Sequence, residues 1–133
     1  MKALVRLASG FRPQKLGNVE WDSDGYIWIK QDKFHESFCE DLPTDEALVM
    51  AVTQKAPVGS IFGETISDPA WKKKPTWYQV SRDDRIIPPV TERRMAERMN
   101  PRRTIEFDAS HASLASHPGA IVDLIDAAAT SIT

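Results

Sequence analysis

The sequence has 133 residues, enough for one domain with a buried core. Lys plus Arg number 17 and Asp plus Glu number 19, and the resulting net charge of −2 gives no general attraction for nucleic acid or an anionic membrane. No apolar run approaches the ~18 residues of a membrane-spanning helix, and the single cysteine, Cys39, excludes an internal disulfide, so we expect a cytoplasmic protein.

The first part of the chain is predicted to hold a strand and then an irregular, largely helical segment. Residues 3–7 form a compact apolar run typical of a buried strand. A turn signal at residues 22–25 precedes a short strand expected at residues 26–29. Thr44 is predicted to be the N-cap of a helix with two acids in its first turn. The apolar stripe of that helix comprises Leu48, Val49, Ala51 and Val52.

The last third of the chain is more regular and predicts two strand–helix units. Aromatic and β-branched residues at 75–80 predict a strand, and the proline pair at 88–89 begins a helix that ends at Asn100. Residues 104–107 predict a second strand, and apolar residues at helical spacing after Pro118 predict the final helix. Strands and helices that alternate over short connections form parallel sheets covered by helices, so the predicted fold class is α/β.

Two ionisable residues follow the two predicted strands of this last third. Asp84 comes after the first strand and His111 after the second. Adjacent parallel strands end at the same edge of a sheet, where functional groups collect, so an Asp–His pair is geometrically allowed. A carboxylate that accepts from one imidazole nitrogen leaves the other nitrogen available as a general base.

The same two segments resemble those of a known enzyme family. Residues 75–89 are similar to the strand, acid and proline turn of α/β-hydrolases, and residues 108–118 to the segment that carries the catalytic histidine. The similarity is greatest to the small esterase and hydroxynitrile-lyase-like branch. It implies a partial α/β-hydrolase domain with the last three parallel strands and flanking helices. Residues 1–12 would be a strand, residues 13–74 a cap-like insertion, and residues 75–133 the two terminal βα units.

The resemblance also implies the chemistry. His111 would be the general base and Asp84 the acid that orients it, with Asp83 as the rival, since a one-residue shift in the loop would exchange the two. The implied reaction is hydrolysis of a small-molecule ester by a Ser-His-Asp triad, with no cofactor and no metal.

The nucleophile half of such a triad is missing from the sequence. No serine has glycine on both sides in the G-x-S-x-G spacing, and Ser9-Gly10 and Gly59-Ser60 are the nearest approaches. We therefore expect a C-terminal half that is inactive by itself. The alternative is a non-catalytic truncated remnant, or a subunit that associates with itself or a partner through an exposed sheet edge.

Other polar residues favour less specific interpretations. The basic residues between Arg93 and Arg103 alternate with acids such as Glu92, which predicts a solvated helix face and not a nucleic-acid site. His117 is expected at a helix cap and His35 in solvent. The pattern predicts no metal site, and neither nucleic acid nor a membrane as a partner.

Overall fold

The computed structural model describes residues 16–131, in which a β-hairpin and a helical pair precede two parallel strand–helix units. The predicted strand at residues 3–7 lies outside the described residues. None of the helices in the described part combines the length and hydropathy needed to cross a bilayer.

A β-hairpin forms around the predicted turn, and its first strand was not predicted from the sequence. Strand β1, Val19–Trp21, pairs antiparallel with β2, Ile27–Ile29. Gly25 has φ +85°, a backbone conformation that favours glycine in such a turn. One carboxylate oxygen of Asp22 accepts hydrogen bonds from the amides of Asp24 and Tyr26, at 3.0 and 2.9 Å. The predicted turn and short strand are both confirmed.

Helix α1, Gln31–Phe38, and helix α2, Thr44–Thr53, follow the hairpin and pack on one another. The sequence interpretation missed α1. It placed the N-cap of α2 one residue late, because Pro43 holds that position and no side chain caps the helix. The two helices and the link between them form a core cluster with Ala112 from the last third of the chain. The buried members of this cluster are Phe34, Cys39, Leu42, Ala47, Ala51 and Ala112.

The predicted apolar stripe of α2 is mostly wrong. The small residues Ala47 and Ala51 face the core, whereas Leu48, Val49 and Val52 are between 58% and 62% exposed. Alanines on the inner face let α2 approach its neighbours closely, so the larger side chains point outward. We call Leu48, Val49 and Val52 the α2 face.

The two strand–helix units form a parallel pair of strands. Strand β3, Trp77–Ser81, pairs with β4, Arg103–Phe107, with Ser81 opposite Phe107. Helix α3, Pro89–Met99, connects them. The short helix α4, Ser113–Ser116, which the sequence interpretation missed, and the predicted final helix α5, Pro118–Thr130, follow β4. This arrangement is consistent with the partial α/β fold.

The start and end of α3 follow the predicted signals. Pro89 occupies its first position, and Asn100 ends it with a left-handed backbone at φ 47°. Between α2 and β3 the described chain has only short 3₁₀ turns, Gly59–Gly63 and Ala70–Lys72. The assignment of residues 13–74 as a cap stays a prediction.

Candidate active site

Asp84 and His111 meet at the carboxyl ends of β3 and β4. The Asp84 Oδ2 and His111 Nδ1 atoms are 2.7 Å apart, although the residues are 27 positions apart in sequence. The parallel pairing continues past the strands, since the Arg82 amide donates to the Phe107 carbonyl and the Asp83 amide to the Ala109 carbonyl, both at 3.1 Å. These bonds hold the two loops side by side.

The Asp84 carboxylate is buried and surrounded by donors. Its side chain is 1% exposed, and Oδ1 accepts from the amides of Ile86 and Ile87 at 2.7 and 2.8 Å. Burial by itself raises the pKa of Asp84, but the hydrogen bond and charge of His111, together with the two amides, outweigh it and hold this pKa below its usual value. Asp84 is therefore ionised at neutral pH.

An ionised Asp84 fixes the protonation pattern of His111. A carboxylate only accepts, so Nδ1 carries the proton and the neutral ring keeps its lone pair on Nε2. The ring lies edge-on to Phe38 at 4.7 Å between centroids, and the side chain is 27% exposed. Among the described residues, Nε2 has no hydrogen-bond partner, which leaves it available to a reacting group.

Asp83, the rival acid, does not face the histidine. Asp83 is exposed, whereas Asp84 is buried against the imidazole. The Asp83 carboxylate makes no hydrogen bond to His111 in the described part of the chain. The geometry thus favours Asp84 as the partner of His111.

Helix α1 and the link between α1 and α2 brace the two loops that carry Asp84 and His111. Asp41 accepts hydrogen bonds from the amide of Ser110, at 3.0 Å, and from its hydroxyl. Arg85 pairs with Glu40 at 2.5 Å and donates to the carbonyl of Glu36 at 3.0 Å. Sequence reasoning did not predict these braces, because Asp41 and Ser110 lie 69 positions apart and no local pattern joins them.

The other histidines occupy structural positions. The expectation that His35 faces solvent is wrong: it is half-buried, and its Nε2 lies 2.9 Å from the Leu42 carbonyl oxygen. His117 does precede α5, as predicted, but its side chain makes no capping hydrogen bond. Its Nδ1 instead lies 2.9 Å from the Ser116 hydroxyl.

Glu92 is a buried acid at this site that sequence reasoning assigned to a solvated face. It is 8% exposed, and its Oε2 accepts from the Ser81 amide at 2.7 Å. Burial raises the pKa of Glu92 to about 7; the Ser81 amide opposes this, and the neighbouring Asp84 adds to it. Glu92 is one turn into α3 among exposed arginines, so only the packed structure distinguishes it from them.

Arg98 and Arg102 lie away from this edge of the sheet. A groove of about 370 Å³ near the amino ends of β3 and β4 is lined by residues that include Trp71, Arg98 and Arg102. Arg98 stacks on Trp71 and Arg102 on Trp77, at 5.3 and 5.7 Å. Within residues 16–131, no group of three or more His, Cys, Asp and Glu side chains is suited to hold a metal ion.

Comparison with known proteins identifies the family and the fold. The model of the Alpha/beta hydrolase family matches residues 2–124. A solved structure described as the crystal structure of a novel pyrethroid hydrolase, PytH, with BIF is similar, with a TM-score of 0.68 at 22% identity. The similarity covers 96% of this chain and 55% of that one, so this chain spans about half of its length. The comparison with curated proteins gives no match. At this identity the structural similarity establishes the fold.

Proposed function

Since this chain belongs to the α/β-hydrolase family, we propose that Asp84 and His111 are the acid and base of a serine-hydrolase triad that acts on small-molecule esters. One observation carries the proposal: a buried, ionised carboxylate lies 2.7 Å from Nδ1 of a partly exposed imidazole. This is the arrangement in which a carboxylate orients a general base.

The chemistry follows from the protonation pattern. Nε2 of His111 takes the proton of an attacking serine, and the ester carbonyl becomes a tetrahedral oxyanion. Asp84 stabilises the resulting imidazolium, which then protonates the leaving alcohol. Water, activated by the same Nε2, hydrolyses the acyl-serine and releases the acid. No cofactor takes part.

These 133 residues contain no G-x-S-x-G motif. The motif therefore supplies neither the nucleophilic serine nor an oxyanion-hole donor in this chain. Loss of one oxyanion donor typically lowers kcat about 10²- to 10³-fold, and the motif normally supplies both the nucleophile and one donor. We therefore propose that hydrolysis requires these groups from other residues. The 133-residue chain alone should hydrolyse p-nitrophenyl acetate no faster than its His111→Ala variant.

A chimera tests the proposed roles. A segment that carries the G-x-S-x-G motif of a complete α/β-hydrolase would be placed ahead of Met1, so that its serine joins Asp84 and His111. We expect p-nitrophenyl acetate turnover that falls at least about 10³-fold in the His111→Ala and Asp84→Ala chimeras. His35→Ala is the matched control, because the His35 imidazole lies against the Leu42 carbonyl and not against the Asp84 carboxylate, and it should keep most of the rate. A chimera whose turnover survives His111→Ala would contradict the proposal.

A second candidate function is non-catalytic self-association, which the exposed α2 face favours. Three large apolar side chains about 60% exposed on neighbouring turns of one helix are more than scattered surface residues. In this interpretation the chain pairs with a second copy of itself, and the Asp84–His111 pair is a structural remnant.

A further inference from the structure

Two buried carboxyl groups meet beneath the histidine. Asp84 is 5% exposed and Glu92 is 8% exposed, and the Glu92 side chain lies within hydrogen-bonding range of the Asp84 carboxylate. Two ionised carboxylates in contact and out of water repel each other strongly. One of the two groups therefore keeps its proton to a pH well above the usual pKa of a carboxyl group.

The hydrogen-bond partners decide which carboxyl group holds it. Asp84 accepts from two backbone amides and from His111. Glu92 accepts from one amide, that of Ser81. Three donors stabilise a carboxylate better than one, so the proton belongs on Glu92.

We propose that Glu92 is a positioning residue, whose neutral carboxyl donates a hydrogen bond to the Asp84 carboxylate while accepting one from the Ser81 amide. It thereby joins the end of β3 to the acid loop and holds the Asp84 carboxylate in place against His111. The inference deepens the proposed function and rests on it, because the position of Asp84 matters only if it orients the base.

The remaining surroundings agree with a neutral Glu92. Tyr78 on β3 is half-buried near both acids. Burial, together with the negative charge of Glu92 and Asp84, raises the pKa of Tyr78 to about 12, so its side chain is uncharged. Glu106 on β4 is a further negative group that raises the pKa of Glu92, and the ion pair of Arg93 is formed with Glu106. No salt bridge neutralises Glu92 among the described residues, which favours the protonated form.

The experiment observes the Nδ1 proton of His111 by NMR, in the 133-residue chain itself. A proton held between imidazole and carboxylate gives a far-downfield signal that exchanges slowly. In Glu92→Gln the amide can still donate to Asp84 and accept from Ser81, so we expect the signal to persist unchanged. In Glu92→Leu both bonds are lost, and we expect the signal to weaken at least about twofold or disappear.

Glu97→Leu is the matched control, since Glu97 is an exposed residue of the same helix. It makes the same chemical change away from Asp84 and should leave the signal intact. A merely structural Glu92 would lower the unfolding midpoint in Glu92→Leu without changing the Nδ1 signal of the folded protein. That result would overturn the inference.

A second measurement decides the question if Glu92→Leu does not fold. The pKa of Glu92 is about 7 in the folded state and near 4.5 in the unfolded state. Because the unfolded state releases this proton first, the folded state becomes less stable as the pH rises from about 4.5 to about 7. The urea midpoint of the wild type should therefore fall relative to that of Glu92→Gln between about pH 5 and about pH 8. A constant difference between the two proteins would mean that Glu92 is ionised throughout, and the inference would be wrong.

The two proposals fail in different ways. Absence of the downfield signal from the wild type would mean that Asp84 and His111 do not form the pair, and the proposed function would fail. A signal present in the wild type and equally strong in folded Glu92→Leu would remove only the role of Glu92.

Discussion

Hydrogen-bond donors of the protein, and not water, stabilise the negative charge of Asp84. Two amides from the turn after it and one imidazole satisfy its oxygens, and this local arrangement explains why a nearly inaccessible carboxylate stays ionised. The sequence suggested an acid in this loop, but it left Asp83 and Asp84 open. A shift of one residue reverses which carboxylate points inward, and only the path of the loop decides it.

Asp84→Asn should reverse the tautomer of His111. The amides of Ile86 and Ile87 would hold the side-chain carbonyl oxygen of the introduced asparagine, so its NH₂ would face Nδ1 and force the proton onto Nε2. Nitrogen-15 NMR of the imidazole distinguishes the two tautomers directly. Asp83→Asn, the adjacent exposed control, should leave the Nδ1–H form in place. A reversal caused by Asp83→Asn would show that the loop is in the other register.

Helix α3 carries its start and stop signals in its own sequence. Pro89 suits the first turn because its ring fixes φ and it needs no amide donor there, and Asn100 tolerates the left-handed conformation that ends the helix. These signals were predicted correctly because they depend on neighbouring residues alone. The helix in turn places Glu92 beneath Asp84.

Substitutions at Asn100 should follow backbone preference. Asn100→Ala should destabilise the protein by about 1 kcal/mol, because a side chain with a Cβ and no local hydrogen bonding resists a φ of 47°. Asn100→Gly should be at least as stable as the wild type, since glycine adopts that φ without strain. Thermal unfolding of the three proteins measures the order. Equal stability of the alanine and glycine variants would contradict the left-handed helix end.

At the scale of the whole molecule, the α2 face is the largest departure from the sequence pattern. The sequence predicts that the buried stripe of α2 contains Leu48, Val49 and Val52. In the structure, Ala47 and Ala51 take the inner positions against α1 and Ala112. Hydrophobicity alone cannot select between these two faces, because both are apolar. The space left by the neighbouring elements selects the smaller side chains.

The exposed α2 face should make the protein self-associate. Size-exclusion chromatography across a concentration range should give a wild-type apparent mass that rises with concentration. The double variant Leu48→Lys, Val52→Lys should remain a monomer, with unfolding free energy changed by no more than about 0.5 kcal/mol, because both side chains are exposed. Ile66→Lys, at a residue 76% exposed elsewhere, is the control and should not alter association. A wild type that stays monomeric at every concentration would contradict this expectation.

The sequence by itself determined the order of the strand–helix units, the ends of α3 and the two loops that carry Asp84 and His111. Such features depend on turn chemistry, helix capping and residue periodicity, which act over a few neighbouring positions. The tertiary structure decided which acid faces the imidazole, that Glu92 is buried, that Asp41 braces Ser110 and which face of α2 points inward. Those outcomes depend on hydrogen bonds and close packing between residues far apart in sequence. The separation is 27 positions for Asp84 and His111 and 69 positions for Asp41 and Ser110. Such contacts exist only after the chain has folded back on itself.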